Sequence, residues 1–200
     1  LKDFLAVDDT VIFNSTSAGG LFIGMKDKEC QCTGVSNTSI GLSANTFKIS
    51  ETANTAEDAP DDEKGGVHPV PVTFTNLTIK KKLPELDFVC ESNNRLWGCK
   101  GNTIYASKLG NPLIWYCYSG LLTDSYTLDV GTTGDFTGCI STPNYVIFLK
   151  ENYIHKIYGE KPSSYQLTTV NAQGLSADSP YSLTNYNDTI FFKSKNEIMT

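Results

Sequence analysis

Basic residues are scarce in this sequence, and their scarcity limits what the protein can bind. Lys and Arg together number 16 among 200 residues, and Arg95 is the single arginine. The formal net charge is −6, and the one basic run, Lys80–Lys82, is short. Because proteins bind nucleic-acid backbones through clustered Lys and Arg, the composition argues against direct nucleic-acid binding.

Long hydrophobic runs are also missing. No apolar stretch approaches the roughly 18–20 residues that span a bilayer, and neither a signal peptide nor a lipidation motif occurs. We therefore expect no membrane partner. The sequence starts at Leu1 and stops inside a strand-like run, NEIMT, which predicts a fragment, a domain or a processed chain.

Six cysteines are present, but their spacing is not typical of a disulfide framework. Four of them fall singly within strand-like runs, which favours reduced, buried thiols made in a cytoplasm; export would favour disulfides instead. The pair Cys30 and Cys32 lacks a second pair of Cys or His ligands, which a structural zinc site requires. No metal and no cofactor are predicted.

A motif recurs three times in the second half of the sequence, at 94–107, 144–157 and 188–200. Matching positions lie 50 and then 44 residues apart: Leu96, Val146 and Ile190; Asn102, Asn152 and Asn196; Ile104, Ile154 and Ile198. β-Branched and aromatic residues alternate on either side of a polar turn, which predicts a β-hairpin in each copy. Asn tolerates the positive φ of a tight turn, so the turns are placed at Asn102, Asn152 and Asn196.

The repeat extends beyond each hairpin. Upstream, the same intervals of 50 and 44 residues separate Val89, Cys139 and Leu183. Downstream, an aromatic residue follows each of two prolines by three residues: Trp115 after Pro112, and Tyr165 after Pro162. Each unit is therefore predicted to hold a leading strand, a hairpin and a closing strand that carries the aromatic residue. Four-stranded units with a period of about 40–50 residues are typical of β-propellers. The predicted fold is all-β, with propeller-like blades of four antiparallel strands.

The predicted boundaries follow this repeat. Residues 1–25 end a first blade, because DDTVIF (8–13) resembles NDTIFF (187–192), and 26–86 form a β-rich insertion with an acidic flexible loop at 51–66. Blades at 87–135 and 136–179 and the start of a further blade at 180–200 complete the division. Two or three complete blades do not close a ring, because propellers typically have at least four; we therefore predict an incomplete propeller. Missing chain is the favoured source of further blades, ahead of a ring of copies or an open stack.

Three aromatic residues, Trp115, Tyr116 and Tyr118, are the candidate binding residues. They form either a platform for sugars or a protein hot spot, or else they pack between sheets. Alternation places Trp115 with Cys117 on one face and the two tyrosines on the other. One of these pairs should therefore be buried.

Aspartates cluster in the stretch 121–138, which holds Asp124, Asp129 and Asp135. Several propellers are glycosidases that use paired carboxylates, yet Asp also forms turns and caps backbone amides. The segment TTGDFTG around Asp135 only partly matches the aspartate-box turn of sialidase-type propellers, since it lacks the closing Trp. No catalytic residue is assigned, and a hydrolase using Asp129 or Asp135 is the second alternative function.

Two long stretches resemble a known group of proteins. NNRLWGCKGNTIYASKLGNPLIW and GDFTGCISTPNYVIFLKENYIHKIYGEKPSSYQL are similar to β-propeller-like virion proteins of tailed bacteriophages of Firmicutes, in the style of DNA-stabilising tail-accessory proteins at the phage neck. The resemblance covers about residues 87–200. It implies a non-enzymatic structural component of the virion, made in the host cytoplasm and oligomeric in the particle. Its partners would be portal, tail or neck proteins; the first alternative is a propeller module that binds host-surface glycans.

Overall fold

The described part of the chain is built from antiparallel β-strands. The computed structural model describes residues 7, 9–14, 17–18, 28–35, 40–42, 74–75 and 78–200. They belong to two units, Leu1–Lys82 and Leu83–Thr200. Within these residues there is no α-helix, which confirms the all-β prediction. None of the described helical segments is long and apolar enough to span a bilayer.

The first unit contains a four-stranded sheet and a two-stranded pair. Its strands are β1 (Thr10–Asn14), β2 (Ser17–Ala18), β3 (Lys28–Val35), β4 (Ile40–Leu42), β5 (Phe74–Thr75) and β6 (Thr78–Lys81). The strand order is β4-β3-β1-β6, and β2 pairs with β5. Strands from the predicted blade end at 1–25 and from the predicted insertion at 26–86 thus share one sheet. The boundary between them stays a prediction, and the acidic loop at 51–66 lies outside the described residues.

The second unit contains three sheets that follow one another along the chain. Sheet I holds β7 (Phe88–Ser92), β8 (Arg95–Lys100), β9 (Thr103–Ala106) and β10 (Tyr126–Asp129). Sheet II holds β11 (Gly138–Ser141), β12 (Val146–Leu149), β13 (Tyr153–Tyr158) and β14 (Gln166–Asn171). Sheet III holds β15 (Thr184–Tyr186), β16 (Thr189–Lys193) and β17 (Ile198–Met199). Short 3-10 helices lie at Pro162–Ser164 and Pro180–Ser182.

The strand register repeats at the intervals of the sequence. The central hairpins pair Cys99 with Ile104, Leu149 with Ile154, and Lys193 with Ile198. Both members of each pair move by 50 and then by 44 residues, so the three predicted hairpins are confirmed. The leading strands also agree, since Val89 pairs with Gly98 and Cys139 with Phe148.

Two local predictions are wrong. Positive φ angles occur at Gly101 in one hairpin turn, but Asn102, Asn152 and Asn196 do not adopt them. The left-handed residues lie instead in the turns after the leading strands of sheets I and III: Asn93, Asn94, Asn187 and Asp188.

The closing strand of sheet I is also misplaced in the prediction. Tyr165 lies one residue before β14 and not within it, and Trp115 lies outside any strand, since β10 begins only at Tyr126. Residues 107–125 connect β9 to β10, while the matching connection in sheet II needs only residues 159–165. The longer connection places the closing strand further along the sequence. The prediction missed this because it extended the 50-residue interval beyond the hairpin.

Strand β12 of sheet II packs against other sheets on both of its faces. In sheets II and III, we call the face that meets the preceding sheet the front face and the opposite one the back face. In sheet I, the back face is the one that meets sheet II. In β12, Val146 and Phe148 pack forward against sheet I, and Ile147 and Leu149 pack backward against sheet III. Burial on both faces explains why this strand is a continuous apolar run, VIFL, instead of an alternating one.

The back face of sheet I offers two complete rows of side chains to sheet II. Register places these rows across all four strands: Phe88, Cys99, Ile104 and Leu128 in one, and Cys90, Trp97, Ala106 and Tyr126 in the other. Trp97 lies between two small neighbours, Cys90 and Ala106, so its ring has room to contact Phe148 and Tyr165 at centroid distances of 6.4 and 5.1 Å. The leading strand β11 packs chiefly beside β7.

Phe148 is the natural test of this packing, because it is fully buried between sheets I and II. We expect Phe148→Ala to lower the free energy of unfolding by about 3–5 kcal/mol, as is usual for removal of a buried ring. Urea denaturation measures this change. The matched control is Tyr181→Ala, since Tyr181 is 98% exposed, and equal effects of the two variants would contradict the described core.

Candidate interaction loop

The longer connection of sheet I, residues 107–125, is the strongest candidate for a functional element, and we call it the 107–125 loop. It contains all three predicted binding residues. Trp115 and Cys117 are buried, at 5% and 1% exposure, while Tyr118 is 57% exposed and Tyr116 is half-buried. The prediction that one alternating pair is buried is confirmed. Trp115, Tyr116 and Tyr118 consequently do not form one exposed patch.

Arg95 ties the two ends of the loop to the start of β8. Arg95 as a whole is 2% exposed, and its guanidinium donates to the carbonyls of Ser107 at 2.7 Å, Leu122 at 2.8 Å and Asp124 at 2.5 Å. A fourth carbonyl, that of Thr123, lies at 3.4 Å. Burial lowers the pKa of Arg95, but a guanidinium keeps its charge at neutral pH. Charge-assisted bonds from one side chain thus hold both ends of the loop.

The Asp124 carboxylate orders the tip of the loop. One oxygen accepts hydrogen bonds from the amides of Gly120 at 2.6 Å and Leu121 at 3.0 Å. The other lies 3.6 Å from the Cys117 thiol. For Asp124, the capping role considered from the sequence is confirmed, and the side chain is buried in that role.

Further hydrogen bonds fix the rest of the loop. The Trp115 indole donates to the carbonyl of Pro112 at 2.8 Å, and the Ser125 hydroxyl donates to that of Ile114 at 3.2 Å. The Tyr118 hydroxyl lies 2.6 Å from Thr127 Oγ1 in β10. The loop is therefore an ordered element that presents defined side chains to solvent.

The side chains that this loop exposes are mostly leucines. Leu113 is 52% exposed, Leu121 59% and Leu122 61%. Leu121 and Tyr118 also line a cleft of about 240 Å³ that Tyr126 and Pro162 border. Exposed apolar side chains on an ordered backbone are typical of a protein-binding surface. Sequence reasoning missed these leucines, although the adjacent pair after Gly120, in a stretch without strand alternation, was an available signal.

A buried lysine links sheets I and II at the turns of their central hairpins. Lys150 is fully buried, and its ammonium donates to Asn102 Oδ1 in the hairpin turn of sheet I and to the carbonyl of Thr132 at 2.8 Å. It also lies 4.8 Å from the centroid of the Phe136 ring. Burial lowers the pKa of Lys150. These contacts join the residue after β12 to the hairpin turn of sheet I and to the connection between β10 and β11.

His155 is buried next to this lysine. Its Nε2 lies 3.0 Å from the hydroxyl of Thr132, and its Nδ1 lies 2.9 Å from that of Thr169. A neutral imidazole donates from one nitrogen and accepts at the other, and the two hydroxyls can satisfy both. Burial, and secondarily the charge of Lys150, lowers the pKa of His155 to about 4. The imidazole is therefore neutral at physiological pH and serves as a structural group.

The aspartates considered for hydrolysis are divided between two places. Asp129 accepts a hydrogen bond from Thr103 Oγ1 at 2.5 Å across β9 and β10. Asp135 lines a cleft of about 350 Å³ with Glu151, Asn152 and Thr133, and Asp129 is not among its lining residues. A hydrolase based on Asp129 or Asp135 stays a hypothesis.

The described thiols are held as buried hydrophobes. Cys32, Cys99 and Cys117 are buried, and Cys90 and Cys139 are half-buried. The hydrogen bond with Cys139, followed by burial, raises the pKa of Cys90, which keeps this thiol protonated. In the part of the chain that the structure describes, no group of three or more His, Cys, Asp or Glu side chains is placed to hold a metal ion.

Comparisons with known proteins found no relative of this chain among family models or curated proteins.

The role of Arg95 can be tested with Arg95→Met, which removes the donors while keeping an apolar stem. The carbonyls of Ser107, Leu122 and Asp124 then lose this donor, so we expect faster amide hydrogen exchange across 107–125 and a loss of about 2 kcal/mol or more in stability. Lys161→Met is the matched control, because it removes one positive charge from an exposed side chain. Exchange at the wild-type rate in the Arg95 variant would show that the clamp does not hold the loop.

The burial of His155 predicts a dependence of stability on pH. The ordinary pKa of 6.5 applies in the unfolded chain, and the folded value is about 4. Between these two pH values the unfolded state binds more protons, so stability should fall as the pH falls, by up to about 3 kcal/mol.

An NMR titration of the imidazole measures this pKa directly. The sequence has one other histidine, His68, so a His68→Gln variant assigns the signal. A titration midpoint near 6.5 for His155 would contradict its described environment.

Proposed function

We propose that this protein is a non-enzymatic structural component of a phage virion, which acts through protein–protein contacts made by the 107–125 loop. Tail-accessory, neck or stabilisation proteins are the class that fits. The observation that supports this most directly is the loop itself. Its backbone is fixed by Arg95 and Asp124, while Leu113, Leu121 and Leu122 are more than half exposed.

An ordered apolar surface favours binding of another protein for a physical reason. Solvent-exposed leucines cost free energy until a partner covers them, and a backbone that is already fixed loses little conformational entropy on binding. The portal, tail and neck proteins of the particle are the proposed partners, and the virion is the proposed location. Both follow from the resemblance of residues 87–200 to phage virion proteins.

The three sheets of the second unit support a propeller-like arrangement. They are stacked face to face in chain order, and the leading strand β11 packs chiefly beside β7. Blades around an axis have this geometry, with their first strands innermost and large side chains filling the wider outer gap. The aromatic cluster of Trp97, Tyr126 and Tyr165 fills the space between sheets I and II in this way.

One observation favours a second candidate, the glycan-binding module. The Tyr118 ring is 57% exposed and borders the cleft of about 240 Å³, so a sugar ring could stack on it. Tyr118→Ala would then reduce binding to host cell-wall glycans, while contacts made by the leucines would persist.

The leading proposal is tested with the double variant Leu121→Ser and Leu122→Ser. We expect its affinity for a purified portal, tail or neck protein of the same phage to fall about tenfold or more, because central apolar side chains dominate such interfaces. Biolayer interferometry measures the affinity, and Tyr181→Ser is the control at an exposed position outside the loop.

Stability should not change in the double variant, because both leucine side chains are largely solvated. Unaltered affinity, or wild-type protein that binds none of the virion components, would contradict the proposal. Loss of glycan binding with retained protein binding in Tyr118→Ala would favour the second candidate.

A further inference from the structure

The contact between Lys150 and Asn102 places an amine against a side-chain amide. Lys150 directly follows β12 of sheet II and is fully buried, while Asn102 lies in the hairpin turn of sheet I. The Lys150 Nζ donates a hydrogen bond to Asn102 Oδ1, across 48 positions of sequence. An amine held against this oxygen is also close to Cγ, because the two atoms are directly bonded. A lysine amine can attack a carbonyl carbon as a nucleophile.

The surroundings of the Lys150 amine favour its nucleophilic form. The Nζ lies 4.8 Å from the centroid of the Phe136 ring, and Phe136 is buried. Burial lowers the pKa of Lys150, so the neutral amine is more populated than in a solvated lysine. The carbonyl of Thr132 accepts a second hydrogen bond from Nζ at 2.8 Å, which holds the amine beside the amide.

A carboxylate that can carry the required protons lies at the same turn. Asp135 Oδ1 is 3.9 Å from the position that a Cβ would take on Gly101, the residue before Asn102. A hydrogen bond of 2.9 Å from the amide of Phe136 to the carbonyl of Gly101 holds the chain there. Asp135 also interacts electrostatically with Lys150. An amine, an amide and a group suited to acid–base catalysis thus lie at one hairpin turn.

We propose that Lys150 and Asn102 form an intramolecular isopeptide bond, with Asp135 as the general acid–base group. Asp135 takes a proton from the Lys150 ammonium, and the neutral amine attacks Asn102 Cγ, which forms the Nζ–Cγ bond and moves an electron pair onto Oδ1. Asp135 passes its proton to Nδ2, the electron pair returns, and the Cγ–Nδ2 bond breaks. Nζ gives a second proton to the departing ammonia. The products are a secondary amide and an ammonium ion, so the reaction needs no oxidant.

The openness of the turn allows the reaction to go to completion. Asn102 and Asp135 are both exposed, and Asp135 lines the cleft of about 350 Å³. One amide replaces another, and the ammonium ion is diluted into solvent, which disfavours the reverse step. The bond would close a loop of 48 residues and prevent sheets I and II from separating. This proposal does not depend on the contacts assigned to the 107–125 loop.

The repeat provides a matched position at which the reaction cannot occur. Asn152 is the equivalent of Asn102 in the hairpin of sheet II, but Ser194 stands at the position of Lys150 in sheet III and has no amine. Lys100 is the equivalent lysine in sheet I; its side chain is 50% exposed and pairs with Asp87 at 2.6 Å. We therefore expect the bond between sheets I and II, and none at Asn152.

Intact-mass spectrometry of the purified full chain tests this bond. The wild type should be lighter than its sequence mass by about 17 Da, which is the mass of one ammonia molecule. After proteolysis, tandem spectra should show the peptide of Lys150 joined to that of Asn102. Lys150→Met, Asn102→Ala and Asp135→Asn should each have the full mass of their sequence. Asn152→Ala is the matched control and should keep the mass loss.

Several outcomes would overturn the proposal. Wild-type protein at its full sequence mass would do so, and so would a mass loss that persists in Lys150→Met, because a cyclic imide at an asparagine also releases ammonia. A bond that forms unchanged in Asp135→Asn would exclude the role given to Asp135. Since Asn102 and Asp135 are exposed, their variants keep the test valid even if replacement of the buried Lys150 prevents folding. Binding through Leu121 and Leu122 is measured separately, so a negative result here leaves the proposed function standing.

Discussion

Face-to-face packing of sheets is the interaction on which the second unit depends. Sheet II has no solvent-facing side along β12, since Val146 and Phe148 are buried toward sheet I, and Ile147 and Leu149 toward sheet III. Removal of that much apolar surface from water is the main favourable term that the fold offers. A strand of this kind is stable only with a neighbour on each side, so the three sheets stabilise one another.

Two buried cations then position what lies at the edges of the stack. Arg95 binds the carbonyls at the ends of the 107–125 loop, and Lys150 binds Asn102 in the hairpin turn of sheet I and Thr132 in the connection from sheet I to sheet II. Neither has a carboxylate among these partners; their charges are directed at backbone and amide oxygens. This chemistry fixes irregular segments, whose polar groups have no strand to pair with, onto a rigid base.

The repeat could be predicted from the sequence because hairpin register depends on local intervals. Ile104, Ile154 and Ile198 keep their spacing, and each pairs as the spacing requires. The closing strand could not be located in this way, since the extra residues before Tyr126 leave Pro112 in step with Pro162 while the strand shifts. The Arg95 clamp depends on contacts between residues far apart in sequence, and the exposure of Leu121 is not encoded in its residue type.

The loop is held almost wholly through its main chain. Arg95 donates to the carbonyl of Leu122, and Asp124 accepts from the amide of Leu121. These hydrogen bonds do not depend on the side chains at positions 121 and 122. The side chains at 121 and 122 can therefore be replaced without loss of these hydrogen bonds. Proline at 121 is the exception, because it has no amide hydrogen to donate to Asp124. Under the proposed function, substitutions at these two positions alter the partner-binding surface by point mutation alone, while the packed sheets beneath it stay unchanged.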